Sequence, residues 1–191
     1  CGTLLCLAAE AAGTTTLTYG SRSVDPFAAP ERVSVAQAFQ RFAGIDLLAA
    51  FDGGTTSRDE LARAASRMGI KIALDDTWGD IFSRILVEKI EPNIGNGCAT
   101  LLTEYPATQA ALAHRSTSDA RVADRFELYA CGVELANAFG ELTDAHEQRR
   151  RFEMEMAEKQ RIYGERYPID EDFLAALAHM PPASGAALGF D

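Results

Sequence analysis

Three glutamates stand seven residues apart, at Glu127, Glu134 and Glu141, and the chain closes on Ser184-Gly185-Ala186-Ala187-Leu188-Gly189-Phe190-Asp191, a glycine-rich stretch running into an aspartate. Carboxylates crowded into one cleft repel each other and become tolerable when a divalent metal ion or an ammonium group neutralises them. Magnesium suits that role, because it favours carboxylates, waters and substrate phosphates over a dedicated protein cage. Glu127 and Glu134 are therefore candidates to hold magnesium on a nucleotide, and Glu141 is a candidate to accept from a substrate amine. Phe139 offers an apolar or cation–π wall beside that amine, and Asn137 can orient a polar group. Spacing alone leaves the alternative open: solvated strand glutamates and a core phenylalanine.

The elements that must position these side chains read as a hairpin. Residues 126–130 and 133–139 are strand candidates around Cys131-Gly132, with a late glycine suited to a two-residue turn. Alternate strand residues share a face, so Asn137, Phe139 and Glu141 line up while Glu134 points the other way. A common site therefore requires a bulge or local twist between Glu134 and Asn137. Residues 100–105 give a third strand candidate, and the glycine-rich end can return to the sheet. Upstream, residues 3–12 read as a helix ended by Gly13, and 20–30 as a loop. Ser34 can cap a helix with Ala38, Phe39 and Phe42 on its apolar stripe, ending near Gly44. Ser57 with Glu60 forms a capping box ahead of Leu61, Ala65 and Met68. One long helix is expected over 77–90, with Ile81, Ile85, Leu86 and Ile90 inward and Pro92 blocking continuation. Residues 144–163 form a long charged helix with Phe152, Met156 and Ile162 for packing, and 170–179 a shorter one. The result is an α+β fold with antiparallel pairing.

A chain of 191 residues, 47% apolar and 24% charged, fits one globular domain. No segment reaches the roughly 18 apolar residues of a membrane span, and the opening run 4–12 lacks the flanks of a signal peptide. Cys1 as first residue suggests a chain that begins inside a longer protein. The net charge of -10 repels a phosphate backbone, and the basic run Arg149-Arg150-Arg151 is flanked by Glu147 and Glu153. A protein partner or a small cationic substrate suits that balance better than nucleic acid. Cys1, Cys6, Cys98 and Cys131 have no metal-ligand spacing, which argues against zinc and makes a reducing cytoplasm the default expectation. His114, His146 and His179 are scattered; Asp119, Asp124 and Glu127 match no calcium loop; Gly95 and Gly97 form a turn without the Gly-Lys-Ser/Thr of a phosphate loop.

The run 126–152, Phe-Glu-Leu-Tyr-Ala-Cys-Gly-Val-Glu-Leu-Ala-Asn-Ala-Phe-Gly-Glu-Leu-Thr-Asp-Ala-His-Glu-Gln-Arg-Arg-Arg-Phe, resembles the catalytic domain of class II lysyl-tRNA synthetases. It is closer still to their paralogues, the elongation factor P–lysine ligases. Glu91-Pro92-Asn93-Ile94-Gly95, Tyr105-Pro106-Ala107-Thr108-Gln109 and the Met180–Asp191 segment, which resembles the opening of class II motif 3, extend the likeness. The likeness is dense over about 88–191 and thinner but collinear back to about residue 34. It implies a partial class II catalytic core: a helix and connecting loop over 1–33, a mostly helical insertion over 34–91, and the C-terminal part of the core over 92–191.

The same resemblance implies roles. Glu127 and Glu134 would coordinate magnesium on ATP, and Glu141 would pair with the substrate ammonium. Asn137, Phe139, Gly185 and Ala187 would line the amino-acid pocket, and Gly189 would lie near the nucleotide. Ala187 stands where true lysyl-tRNA synthetases usually carry glycine, which suggests β-lysine over lysine as substrate. The family reaction activates a carboxylate with ATP as an adenylate, then passes the acyl group to elongation factor P or, alternatively, to lysine tRNA. A homodimeric parent is implied. The motif 2 arginine and the arginine after Asp191 are outside the sequence, so the isolated chain is expected not to activate an amino acid at a normal rate. A fragment of a conventional lysyl-tRNA synthetase and a noncatalytic structural remnant are the other readings.

Overall fold

The computed structural model describes residues 1–48, 51–52, 55–110 and 112–189. Helix α1 (Gly2–Ala11) leads into a hairpin of β1 (Leu17–Tyr19) and β2 (Arg22–Asp25), turning at Gly20. The expected loop over 20–30 is thus partly strand. Val24 explains the difference: it is buried against Leu5, Leu128 and Ala136, partners distant in sequence. Strand β3 (Glu31–Ser34) passes directly into α2 (Val35–Ala43). Ser34 closes the capping box at this junction: its Oγ accepts from Gln37 N at 3.2 Å, and the Gln37 side chain accepts from Ser34 N at 2.9 Å. A two-residue pair, β4 (Phe51–Asp52) and β5 (Thr55–Thr56), precedes α3 (Arg58–Arg67), where Ser57 Oγ accepts from Glu60 N.

Helix α4 (Trp78–Ile85) starts from a capping box of Thr77 with Asp80. It does not continue as an α-helix to Ile90. The backbone widens into a π turn over Leu86–Ile90 and tightens into a 3-10 turn over Glu91–Asn93, where Pro92 provides no N–H. Ile81, Ile85, Leu86 and Ile90 are nonetheless all buried, as the spacing predicts. Then follow β6 (Gly97–Cys98), β7 (Thr100–Pro106), β8 (Val122–Ala130), β9 (Val133–Gly140), α5 (Ala145–Tyr163), α6 (Glu171–Leu177) and β10 (Ser184–Leu188).

The main sheet runs β10-β9-β8-β7-β3. Strands β7 to β10 are antiparallel, as expected of this α+β fold, and β3 adds to β7 in parallel at the edge. Parallel neighbours need a long crossover, and the helical span between β3 and β7 supplies it. That span packs on one sheet face: Phe39, Ile81, Ile85 and Ile90 share a buried cluster with Leu102, Tyr105 and Tyr129. Phe82 stacks between Phe39 and Trp78, with centroids 5.1 and 5.3 Å away. The other face packs Leu128, Ala130 and Ala136 against Leu5 and Val24. Helix α5 buries little. Gln148 is its buried residue, Phe152 meets the Phe173 ring of α6 at 6.0 Å, and Ile162, expected to pack, is exposed because no element covers that end among the described residues. No helix of the described residues is long and apolar enough to cross a membrane.

Candidate active site

The site begins at the turn joining β8 and β9. Cys131 and Gly132 have φ of 55° and 73°, the two positive values of a type I′ hairpin turn. A side chain at Gly132 would also overlap the Arg22 guanidinium, which crosses this turn. Two residues later the register slips: Tyr129 faces Glu134, but Leu128 faces Ala136, so Leu135 is an extra residue on β9. This bulge lies in the interval where a common site requires one. Glu134 stands opposite Tyr129, Asn137 opposite Glu127, and Phe139 opposite Arg125. Tyr129, Glu127 and Arg125 alternate along β8 and share a face, so their partners share it too. On the next strand Ala187 faces Asn137 and Gly185 faces Phe139. The Leu135 carbonyl extends the β9–β10 ladder, accepting from Gly189 N at 2.8 Å, and ties the glycine-rich end to Glu134's neighbour.

Glu127 is 5% exposed and accepts four hydrogen bonds. Tyr105 and Tyr129 hydroxyls donate to its Oε2 at 2.5 and 2.7 Å, and Arg125 Nη2 and Asn137 Nδ2 donate to its Oε1 at 2.7 and 3.2 Å. Burial, then the charge of Glu127, pushes both tyrosine hydroxyls far above their ordinary range, so they stay protonated donors. Arg125 and Tyr105 escaped the sequence reading. The signal for Arg125 was present, since it lies two residues before Glu127 on the same strand face. Tyr105 carried no such signal: Glu104, with φ of 58°, breaks the alternation of β7 just before it.

Two further carboxylates surround Glu127. Glu91, delivered by the π and 3-10 turns, is half-buried and lies 3.4 Å from the Tyr129 hydroxyl. Burial and then the Glu127 charge raise its pKa, against the Tyr129 hydrogen bond. Glu134 is exposed at its surface, yet partial desolvation and Glu127 push it up as well, with Arg125 and Asn137 opposing. Solvent damps that second shift. Such mutual repulsion fits a divalent cation. Glu134 presents a reachable carboxylate, whereas Glu127 already uses its four acceptor positions. Direct coordination by Glu127 would displace a donor, and Asn137 makes the longest of the four bonds.

Glu141 lies farther along, just beyond β9. Its N–H donates to Ala183 O at 2.9 Å, and it bridges Ala113 on its other side. A Cβ on Gly185 would approach Glu141 Oε1 to 2.6 Å, so the carboxylate rests directly over that glycine. Phe139 packs against Ala110, Ala113 and Ala123, and Ala187 is exposed beside Asn137. Among the described residues no three His, Cys, Asp or Glu side chains group so as to hold a metal ion, so the three glutamates share a face without closing into one cage. The Asp119 and Asp124 carboxylates go elsewhere, to Arg121 and His114. Asp191 lies outside the described residues. A cleft of about 580 Å³ lies around Thr103, Phe126, Ala138 and Ala186 and also meets Arg125, Phe139 and Gly185; Glu127 does not line it.

The model of the family of class II tRNA synthetases (D, K and N) matches residues 11–191. The elongation factor P–(R)-β-lysine ligase of Sodalis glossinidius (strain morsitans) is 44% identical over 164 residues, 84% of this chain and 49% of that protein. The same-named protein of Haemophilus influenzae (strain PittGG) is 43% identical over 162 residues, 84% of this chain and 48% of its own. That of Proteus mirabilis (strain HI4320) is 42% identical over 166 residues, 85% and 49% respectively. The chain spans about half the length of the curated relatives it matches.

Proposed function

The chain belongs to the class II tRNA synthetase family (D, K and N), and from that premise we propose that it supplies part of a ligase site, one that activates a β-lysine with ATP and transfers it to a lysine of elongation factor P. The carrying observation is the bulge at Leu135, which turns Glu134 onto the face of Glu127, Asn137 and Phe139. On this reading Glu141, seated over Gly185, accepts from the side-chain ammonium of the amino acid. Asn137, Phe139 and Ala187 shape the wall beside it. Glu134, with Glu127 behind it, holds magnesium on the nucleotide; magnesium, when bound, neutralises charge on the transferring phosphate. The buried tyrosines and Arg125 keep Glu127 fixed and shielded from water. No acyl-enzyme nucleophile is needed, in keeping with a site built from binding and charge. The names of the three relatives favour a protein acceptor over tRNA.

The test is ATP–pyrophosphate exchange by the full-length protein, with (R)-β-lysine and lysine compared, followed by transfer to elongation factor P or lysine tRNA. Exchange should prefer β-lysine, and E141Q should raise KM for the amino acid about tenfold or more, the scale of one hydrogen bond to a charged group, with KM for ATP nearly unchanged. Unaltered amino-acid KM in E141Q overturns the ammonium assignment. Acylation of the tRNA but not of elongation factor P overturns the acceptor.

A further inference from the structure

We infer that Arg125 is a positioning residue, whose guanidinium fixes the Asn137 amide and the Glu127 carboxylate in the geometry that receives the amino acid, without itself touching substrate. This rests on the pocket reading above. Arg125 is 17% exposed at its side chain and spends each arm on a different partner. Nη2 donates to Glu127 Oε1 at 2.7 Å, Nη1 to Gln109 O at 2.7 Å, and Nε to Asn137 Oδ1 at 3.3 Å. Its plane lies over the Tyr105 ring, 4.4 Å from the centroid, so the group is held from above as well as along its edge. An amide between a fixed donor and a fixed acceptor has one orientation. Arg125 takes the Asn137 oxygen, and Glu127 takes the nitrogen. Arg125 thus decides which way the Asn137 amide faces Glu127.

A guanidinium is needed for this geometry. It carries donors in a rigid fork and keeps its charge at every working pH, whereas a lysine ammonium is a point charge on a flexible stem. Lysine could neutralise Glu127, but it could not hold Glu127, Gln109 and Asn137 in one plane. Arg125 is also the internal cation that counters Glu127 before any ligand arrives. The crowding of Glu91, Glu127 and Glu134 is in this way relieved from inside the sheet face.

The experiment compares R125K, N137A and the double variant in the full-length protein, by ATP–pyrophosphate exchange with (R)-β-lysine. N137A and R125K should each raise KM for the amino acid about tenfold, with KM for ATP within about twofold, and the double variant should be no worse than the poorer single one, as expected of residues acting in series. An amino-acid KM unchanged in R125K, or single effects that multiply in the double variant, overturns the positioning role while leaving the pocket assignment standing. An unchanged KM in N137A overturns both. Should R125K lose its thermal transition, R125Q is measured in its place. In the unsubstituted protein the Asn137 side-chain amide protons should give one slowly exchanging pair by NMR; rapid exchange in the ligand-free protein counts against a fixed amide.

Discussion

A single oxygen–carbon distance captures how tightly the amino-acid end of the site is built. Glu141 Oε1 occupies the space next to Gly185 so fully that a methyl there would come within 2.6 Å of it. Carbon and carboxylate oxygen do not tolerate that separation, and the strand backbone under Gly185 is tied to Phe139 in the ladder. The carboxylate is the part that must move. G185A should therefore displace Glu141 and raise the amino-acid KM about tenfold or more, with little change in melting temperature, because β10 is an exposed edge strand that carries little of the core. Steady-state exchange kinetics paired with a thermal melt checks this; an amino-acid KM at the wild-type value would show that Glu141 is not read by the substrate. The same scale explains what residue types could and could not announce. Glu127, Glu134, Asn137, Phe139 and Glu141 were legible as chemistry-bearing groups. That Glu127 is enclosed by two tyrosines and an arginine was not, because Tyr105 comes from a strand whose alternation is broken at Glu104.

Among the elements, the bulge in β9 governs the site. Strand alternation alone sends Glu134 to the face of Leu128 and Ala136, into an apolar cluster. The extra residue Leu135 reverses that assignment, and its carbonyl then holds Gly189. Inserting one residue between Leu128 and Tyr129, opposite Leu135, should restore a continuous ladder and turn Glu134 away from Glu127. The expected loss of exchange activity is about a hundredfold or more, the weight of a carboxylate that organises metal on a phosphate. Circular dichroism should keep its helical signal, since α2 to α4 pack chiefly against Val33, Leu102 and Tyr105 of β3 and β7. Activity near the wild-type level in a folded insertion variant would remove the bulge from the mechanism. The need for this bulge was readable from the 134-to-137 spacing, as were the caps at Ser34 and Ser57 and the inward isoleucines of α4. The β1–β2 hairpin, the π turn at Leu86–Ile90 and the parallel pairing of β3 were not. Each depends on a partner far away in the chain, and local periodicity carries no information about such partners.

Across the whole molecule, two sets of carboxylates respond to pH in opposite directions. Asp76, Asp119, Glu158 and Glu171 are held below their ordinary values, first by side-chain hydrogen bonds from Arg84, Arg121, Arg161 and Arg149. Burial would raise Glu147, but hydrogen bonds from Arg150 and Arg151 outweigh it and the net shift is downward. These groups bind protons less readily when folded, so the stability they contribute is lost as pH falls through their folded values, below about 4. Most are exposed pairs, and solvent keeps each contribution small. Glu91 and Glu134 behave oppositely. Folding raises their pKa, so the folded protein binds more protons than the unfolded chain between the ordinary glutamate value, about 4.3, and the raised one. Stability from these two is gained as pH falls through that window and lost again as pH rises through it. The melting temperature should therefore peak on the acid side of neutrality. E91Q removes the half-buried charge without changing shape; it should melt higher than the wild type at pH 7 and show a flatter rise from pH 7 toward 5. Site carboxylates kept ionised against their surroundings are a stability cost that function imposes. Melts of both proteins from pH 7.5 to 3.5 decide it: a wild-type melting temperature that falls steadily from neutrality, or an E91Q variant no more stable at pH 7, would mean that the charge of Glu91 is already compensated within the fold.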